Sequence, residues 1–276
     1  MPGAPSPSAA AGRPVRAAAF FDLDNTLLQG AALFHIARGL YARRFFGPRD
    51  LARYAARQTL FRVRAVEDMA HLTRSRDEAL ALIAGRPEAE LRAMVEEIYD
   101  EFLAARIWPG TRALAQAHLD RGEPVWILTA APAECAETIA ARLGLTGGLG
   151  TVAETSSAGT YTGRLRGAPL HGPEKAAAVR RLAAAEGWEL GRCSAYSDSS
   201  NDLPMLEAVG RPVAVNPDAE LRRRARELGW PVRDFRTARK AVRAGAPALA
   251  AAGVGAALAL AAARSPQHAG QRSPRR

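Results

Sequence analysis

The sequence predicts an α/β fold: an open, doubly wound parallel sheet with an α-helical cap inserted into it. Three observations predict it. Short apolar runs recur along the chain, and each stops at a polar cluster, as buried parallel strands do when they deliver side chains to their carboxyl ends. Amphipathic helical stretches alternate with those runs. A long helical block follows directly on the first run, where an insert would leave the core.

Residues 1–14 are rich in Pro, Gly, Ala and Ser without an apolar run, and read as a disordered lead-in with no secretory signal. Ala17 to Phe21 is the first strand, ending in Asp22-Leu-Asp24-Asn25-Thr26. From Ala31 to Arg106 apolar residues recur every three or four positions, so residues 30–106 read as a helical insert. Pro109-Gly110 breaks that pattern. A helix from Thr111 to Asp120, a turn at Gly122 and a strand from Val125 to Leu128 follow, and then a helix from Pro132 to Leu143. Residues 150–167 alternate Thr, Tyr and Gly as a β-hairpin would. Glu174 to Glu186 is helical, Cys193 to Ser197 a strand, Leu203 to Val209 a short helix and Pro212 to Val215 the last strand. Residues 15–29 and 107–235 thus form the core, and 236–276 a basic, alanine-rich tail.

Composition removes several classes of protein. A chain of 276 residues that is 48% hydrophobic and 24% charged can bury a core without disulfides. Its two cysteines, Cys135 and Cys193, have no zinc spacing and suit the cytoplasm, and the five histidines form no cluster. The net charge of +10 suggests nucleic acid until it is located: residues 1–220 carry −1 and residues 221–276 carry +11. With the excess confined to the tail, no nucleic-acid partner is expected. Residues 244–263 contain no charge and are long enough to cross a bilayer. Twelve of them are alanine, however, so insertion is worth only roughly −1 to −2.5 kcal/mol. The stretch is either a marginal membrane anchor or a solvated tail.

Four polar stations carry the chemistry. Asp22 and Asp24, two apart at a strand end, can be aimed at one small volume, where their repulsion calls for a cation or a shared proton. Thr129 closes the second strand, where its hydroxyl either donates to a phosphoryl oxygen or caps the next helix. Lys175 is the only lysine before Lys240 in an arginine-rich chain, and a compact ammonium suits one phosphate and one carboxylate. Asp198, at the end of the Cys193 strand, precedes Ser199-Ser200-Asn201-Asp202, a loop that either offers carboxylate to magnesium or caps the following helix.

In order and spacing these stations resemble the four motifs of the haloacid dehalogenase superfamily of phosphatases. The helical block after the first motif is similar to the phosphoserine-phosphatase-like branch, subfamily IB, whose Rossmann-like core carries a helical cap. The resemblance spans residues 16–220. It implies Asp22 as the nucleophile that forms an aspartyl-phosphate, and Asp24 as the acid and then the base. It implies Thr129 and Lys175 on the phosphoryl oxygens, and Mg2+ on Asp198, an Asp22 oxygen and the Asp24 carbonyl, with Asn201 and Asp202 in support. One departure bears on specificity. The phosphoserine phosphatases carry a glutamate where this chain has Gly30-Ala31-Ala32, and no acid occurs between Asp24 and Asp50. That argues against phosphoserine as substrate. The expected function is therefore a magnesium-dependent phosphomonoesterase acting on a small phosphorylated metabolite. A phosphotransferase or mutase of the same fold, and a membrane-associated binding protein without catalysis, are the alternatives.

Overall fold

The computed structural model describes residues 16–45, 80 and 83–236. The chain divides into a unit of residues 1–233 and a unit of residues 234–276. The sheet and its helices lie in the first unit. The expected lead-in, residues 46–79 and 81–82 of the expected insert, and the tail from 237 onward, including 244–263, fall outside the described residues. Among the described residues no helix is long and apolar enough to cross a membrane.

Strand β1 (Ala19–Asp22) is followed by helices α1 (Ala32–Ala42) and α2 (Glu88–Ile98), and a π-helical turn at Tyr99–Leu103 and then a 3-10 turn at Ala104–Arg106 lead to α3 (Pro109–Leu119). Next come β2 (Val125–Pro132), α4 (Ala133–Leu143), β3 (Gly147–Thr151) and the pair β4 (Ala153–Thr155) and β5 (Tyr161–Leu165). Helix α5 (Pro173–Glu186), β6 (Ser194–Ser197), α6 (Leu203–Leu206), β7 (Arg211–Val215), α7 (Ala219–Glu227) and β8 (Val232–Arg233) complete the unit. Six strands form one sheet in the order β3-β2-β1-β6-β7-β8, and β4 and β5 form a separate antiparallel pair. Every pairing in the large sheet is parallel, with Asp22 level with Leu128 and Phe21 level with Tyr196. Side chains alternate between two core clusters: Ile127 packs with Cys135 and Ile139, while its neighbour Leu128 packs with Val179 and Met205.

Several boundaries differ from those expected. β2 continues to Pro132 with an irregular register after Leu128, so α4 starts one residue later. The hairpin or pair of short strands expected at 150–167 is the antiparallel pair β4 and β5, while residues 150 and 151 belong instead to edge strand β3 of the large sheet. β3 reads Gly147-Gly-Leu-Gly-Thr151, poor in strand-forming residues, because helix α4 lies directly on it. A Cβ at Gly148 would come within 2.3 Å of the Ala136 carbonyl oxygen. Gly148→Ala must therefore move main chain, and a stability loss of about 1–3 kcal/mol is expected. An unchanged urea midpoint would show that α4 yields freely. The helical stretch expected at 30–106 is broken by a turn at Gly85-Arg86-Pro87, and α6 is shorter than expected. Helix α7 and strand β8 are additions that the sequence reading lacks.

Candidate active site

β1 lies between β2 and β6, so the strand order reverses beside it and a crevice opens at the carboxyl ends. Asp22 ends β1, Thr129 lies on β2, and Asp198 follows β6. Lys175 enters from the first turn of α5, which begins at Gly172-Pro173. Gly172 has φ +53°, a left-handed conformation that favours glycine, and it turns the chain into the helix beside the site.

Lys175 is the hub. Its Nζ donates to Asp22 Oδ1 at 2.5 Å and to Asp202 Oδ2 at 2.7 Å, and all three side chains are buried. Ser197 Oγ donates to the same Asp202 oxygen at 2.8 Å, which fixes that carboxylate from below. Asp24 is half-buried, and its Oδ1 accepts the Ala32 N–H at 2.8 Å, at the start of α1. Thr26 Oγ1 donates to Asp198 Oδ1 at 3.4 Å, joining the first loop to the fourth. On β1 and β6 the rings of Phe21 and Tyr196 stack with centroids 4.2 Å apart, and Tyr196 Oη pairs with His118 Nε2 at 2.7 Å. These contacts hold β1 and β6 in fixed register next to the two acidic loops.

Thr129 is fully buried, and its Oγ1 accepts the Ala131 N–H at 3.1 Å. Pro132, not Thr129, precedes α4, so the helix-cap alternative does not hold. Asn201 is exposed, and its main-chain N–H donates to Ser199 Oγ at 3.2 Å, at the margin of the cluster.

Charge within the site is unbalanced. Burial pushes the Asp22 carboxyl up to about 7, against the pull of Lys175. Burial and then Asp202 push Asp198 up to about 6, and burial also raises Asp24. Burial works to strip Lys175 of its proton, but Asp22 and Asp202 outweigh it and hold the ammonium above the ordinary lysine value. One cation thus faces four carboxylates. The donors are all hard oxygens, which fits a small divalent cation. Among the described residues no three His, Cys, Asp or Glu side chains enclose a metal-sized volume. A cation here would rest on few carboxylates, main-chain oxygen and water, as magnesium does.

A pH dependence follows. Folded Asp22 and Asp198 bind protons at higher pH than the ordinary carboxyl value of 3.8, so between about pH 4 and 7 the folded state holds more protons than the unfolded one. Their contribution to stability is therefore largest at the acidic end of that window and is lost as pH rises through it. In excess chelator, Tm should increase when pH is lowered from roughly 8 to roughly 5.5. A metal-free Tm that falls over that range contradicts the burial of these carboxylates.

The sequence reading missed three residues. His35 on α1 is buried, its Nδ1 has no hydrogen-bond partner, and burial and then Arg106 lower its pKa while Asp24 acts in the opposite direction. Asn216 and Asp218, after β7, bond to the loops that carry Asp24 and Asp198. The left-handed φ of Asn216, +49°, has no sequence signal beyond the turn-forming Asn-Pro-Asp.

The family described as haloacid dehalogenase-like hydrolase matches residues 19–207. The chain belongs to that family. It is similar to phosphoserine phosphatase SerB1 of Mycobacterium tuberculosis strain H37Rv, with 55% identity over 267 residues, 94% of this chain and 86% of the relative. It is also 37% identical to a histidinol-phosphatase of Neisseria meningitidis over 160 residues, 57% of this chain and 72% of the relative. Among solved structures, a protein of unknown function from Bordetella pertussis Tohama I superposes with a TM-score of 0.69 at 32% identity, covering 80% of this chain and 99% of that one. The doubly wound core and the place within the phosphoserine-phosphatase-like branch agree with what the sequence implied.

Proposed function

We propose that the chain is a magnesium-dependent phosphomonoester hydrolase that acts on a small organic phosphate through an aspartyl-phosphate. The observation that carries this is Lys175 joined to both Asp22 and Asp202 at the crevice beside β1. An Asp22 oxygen attacks phosphorus, forming the acyl-phosphate bond as the ester P–O bond breaks. Asp24, whose carboxyl burial keeps protonated to higher pH than usual, gives its proton to the departing alkoxide. The resulting Asp24 carboxylate then takes a proton from water as that water attacks phosphorus, which releases phosphate and restores Asp22. Lys175 and the Thr129 hydroxyl bind the phosphoryl oxygens, and Asp202 keeps Lys175 charged and in place. Asn201 supports the loop from its margin. Asp22, Asp198 and the Asp24 carbonyl would hold magnesium, which when bound would supply the positive charge that lets a phosphate dianion approach these carboxylates.

Substrate choice is set by the cap side, where Ala31 and Ala32 open α1 without charge. The relative named for phosphoserine supports an amino-acid phosphate, whereas the neutral start of α1 supports a leaving group without an ammonium beside it. The limits proposed for the cap, 30–106, and for the core on either side, assign α1 and α2 to substrate selection.

The test measures phosphate release from phosphoserine, histidinol phosphate and p-nitrophenyl phosphate, with magnesium and with excess chelator. Release should stop in chelator and return with magnesium. Asp24→Asn should lose less on the aryl ester than on the alkyl esters, because a good leaving group needs little protonation. Full activity in chelator, or phosphate passed to an added alcohol in preference to water, would overturn the hydrolase reading.

A further inference from the structure

Resting on that reading of the site, we infer that Asn216 and Asp218 are positioning residues that set the spacing of the two acidic loops, and so the affinity of the site for its cation. Both belong to the three-residue segment that links β7 to α7. Asn216 is buried, and its Nδ2 donates at 3.0 Å to the carbonyl of Asn25, the residue after Asp24. It reaches that loop past the end of β6, which separates β7 from β1 in the sheet. Asp218 holds the other loop twice: its N–H donates to the Asp198 carbonyl at 2.8 Å, and its Oδ2 accepts the Ser200 N–H at 2.8 Å. Its remaining oxygen, Oδ1, accepts the Leu221 N–H at 2.7 Å and caps α7.

The two loops carry like charges, and the side-chain bond between them, from Thr26 Oγ1 to Asp198 Oδ1, is long at 3.4 Å. A strap between them must bring them together without adding charge near Asp24, and an amide does so. The conformation of the strap is costly, since Asn216 at φ +49° and Asn25 at φ +55° both occupy the left-handed region. Such conformations persist where the surroundings fix them, and they gather at functional sites. Here the surroundings are the strap's own bonds, together with the Asn216 N–H, which donates to the Arg233 carbonyl at 2.7 Å.

Two variants separate positioning from support of the fold. Asn216→Gly keeps the left-handed backbone and removes only the amide. Asp218→Ser keeps an oxygen to cap α7 and removes the second acceptor, which holds Ser200. Magnesium affinity is read from the rise in Tm on titrating magnesium in the absence of substrate, and separately from the magnesium dependence of hydrolysis. Each variant should bind magnesium about 10- to 100-fold more weakly, the usual effect of losing a group that orients metal ligands. At saturating magnesium, kcat should return to within a few-fold of the wild type. A lower Tm in chelator with unchanged magnesium affinity would reduce the strap to a purely structural element and overturn the inference. A wild-type protein that shows no magnesium response at all would instead overturn the cation reading on which it rests.

Discussion

Replacing Asp22 with asparagine is expected to lower turnover by roughly 10⁴-fold or more and to leave the fold in place. An amide oxygen is a poor nucleophile and cannot form the acyl-phosphate that the proposed route requires. The fold should tolerate the change because the Asn oxygen can still accept from Lys175 Nζ, as Asp22 Oδ1 does at 2.5 Å. Burial already pushes the Asp22 carboxyl up to about 7, so a neutral group there is a small perturbation in electrostatic terms. Tm in chelator near pH 8 should therefore be unchanged or higher. Phosphate release by Asp22→Asn at anything near the wild-type rate would remove the covalent mechanism.

The second large effect concerns Lys175, and it is expected in stability as much as in rate. Lys175→Met keeps the length and packing of the side chain but leaves Asp22 and Asp202 buried without their shared cation. Breaking a buried pair from one side costs about 3–5 kcal/mol, because the desolvated partner is left uncompensated. The loss should be larger near pH 8 than near pH 5.5, since protonation relieves the stranded carboxylates. Adding Asp202→Asn to Lys175→Met should restore part of the stability, and a double-mutant cycle by urea unfolding measures how much. A single-variant loss below about 1 kcal/mol would mean that Lys175 is not the partner its burial implies.

What the sequence revealed divides along physical lines. Asp22, Asp24 and Asp198 were legible because each places a charged group where an apolar run ends, a position that hydrophobic burial alone would not choose, and Lys175 was legible as the only lysine before Lys240 in an arginine-rich chain. β1 and β6 were legible for the same reason, as the runs that those residues terminate, and β2 and β7 as short apolar runs between helical stretches. β3 was not legible: its Gly-Gly-Leu-Gly run is dictated by the approach of α4, a long-range contact that overrides local propensity. Asn216 and Asp218 were illegible because their partners are main-chain groups of distant loops, and any residue type supplies those. His35 was hidden on the inward face of α1, where a buried imidazole has the same helical spacing as a core residue.

The place of β1 at the centre of the sheet has a consequence for how the molecule is made. β1 is the first strand among the described residues, and its partners β2 and β6 begin about 105 and 175 residues later in the chain. At roughly 5–20 residues per second, Ala-Phe-Phe waits on the order of ten seconds for one neighbour and longer for the other. Over that interval both edges of an apolar strand are unpaired, which is when a nascent chain is most open to misassociation and to chaperones. Asp22 and Lys175 lie 153 residues apart, so the ion pair at the heart of the site cannot close until most of the unit has been synthesised. Catalytic competence is then among the last properties acquired, and the slow step of refolding should be the docking of β6 and α5 onto β1.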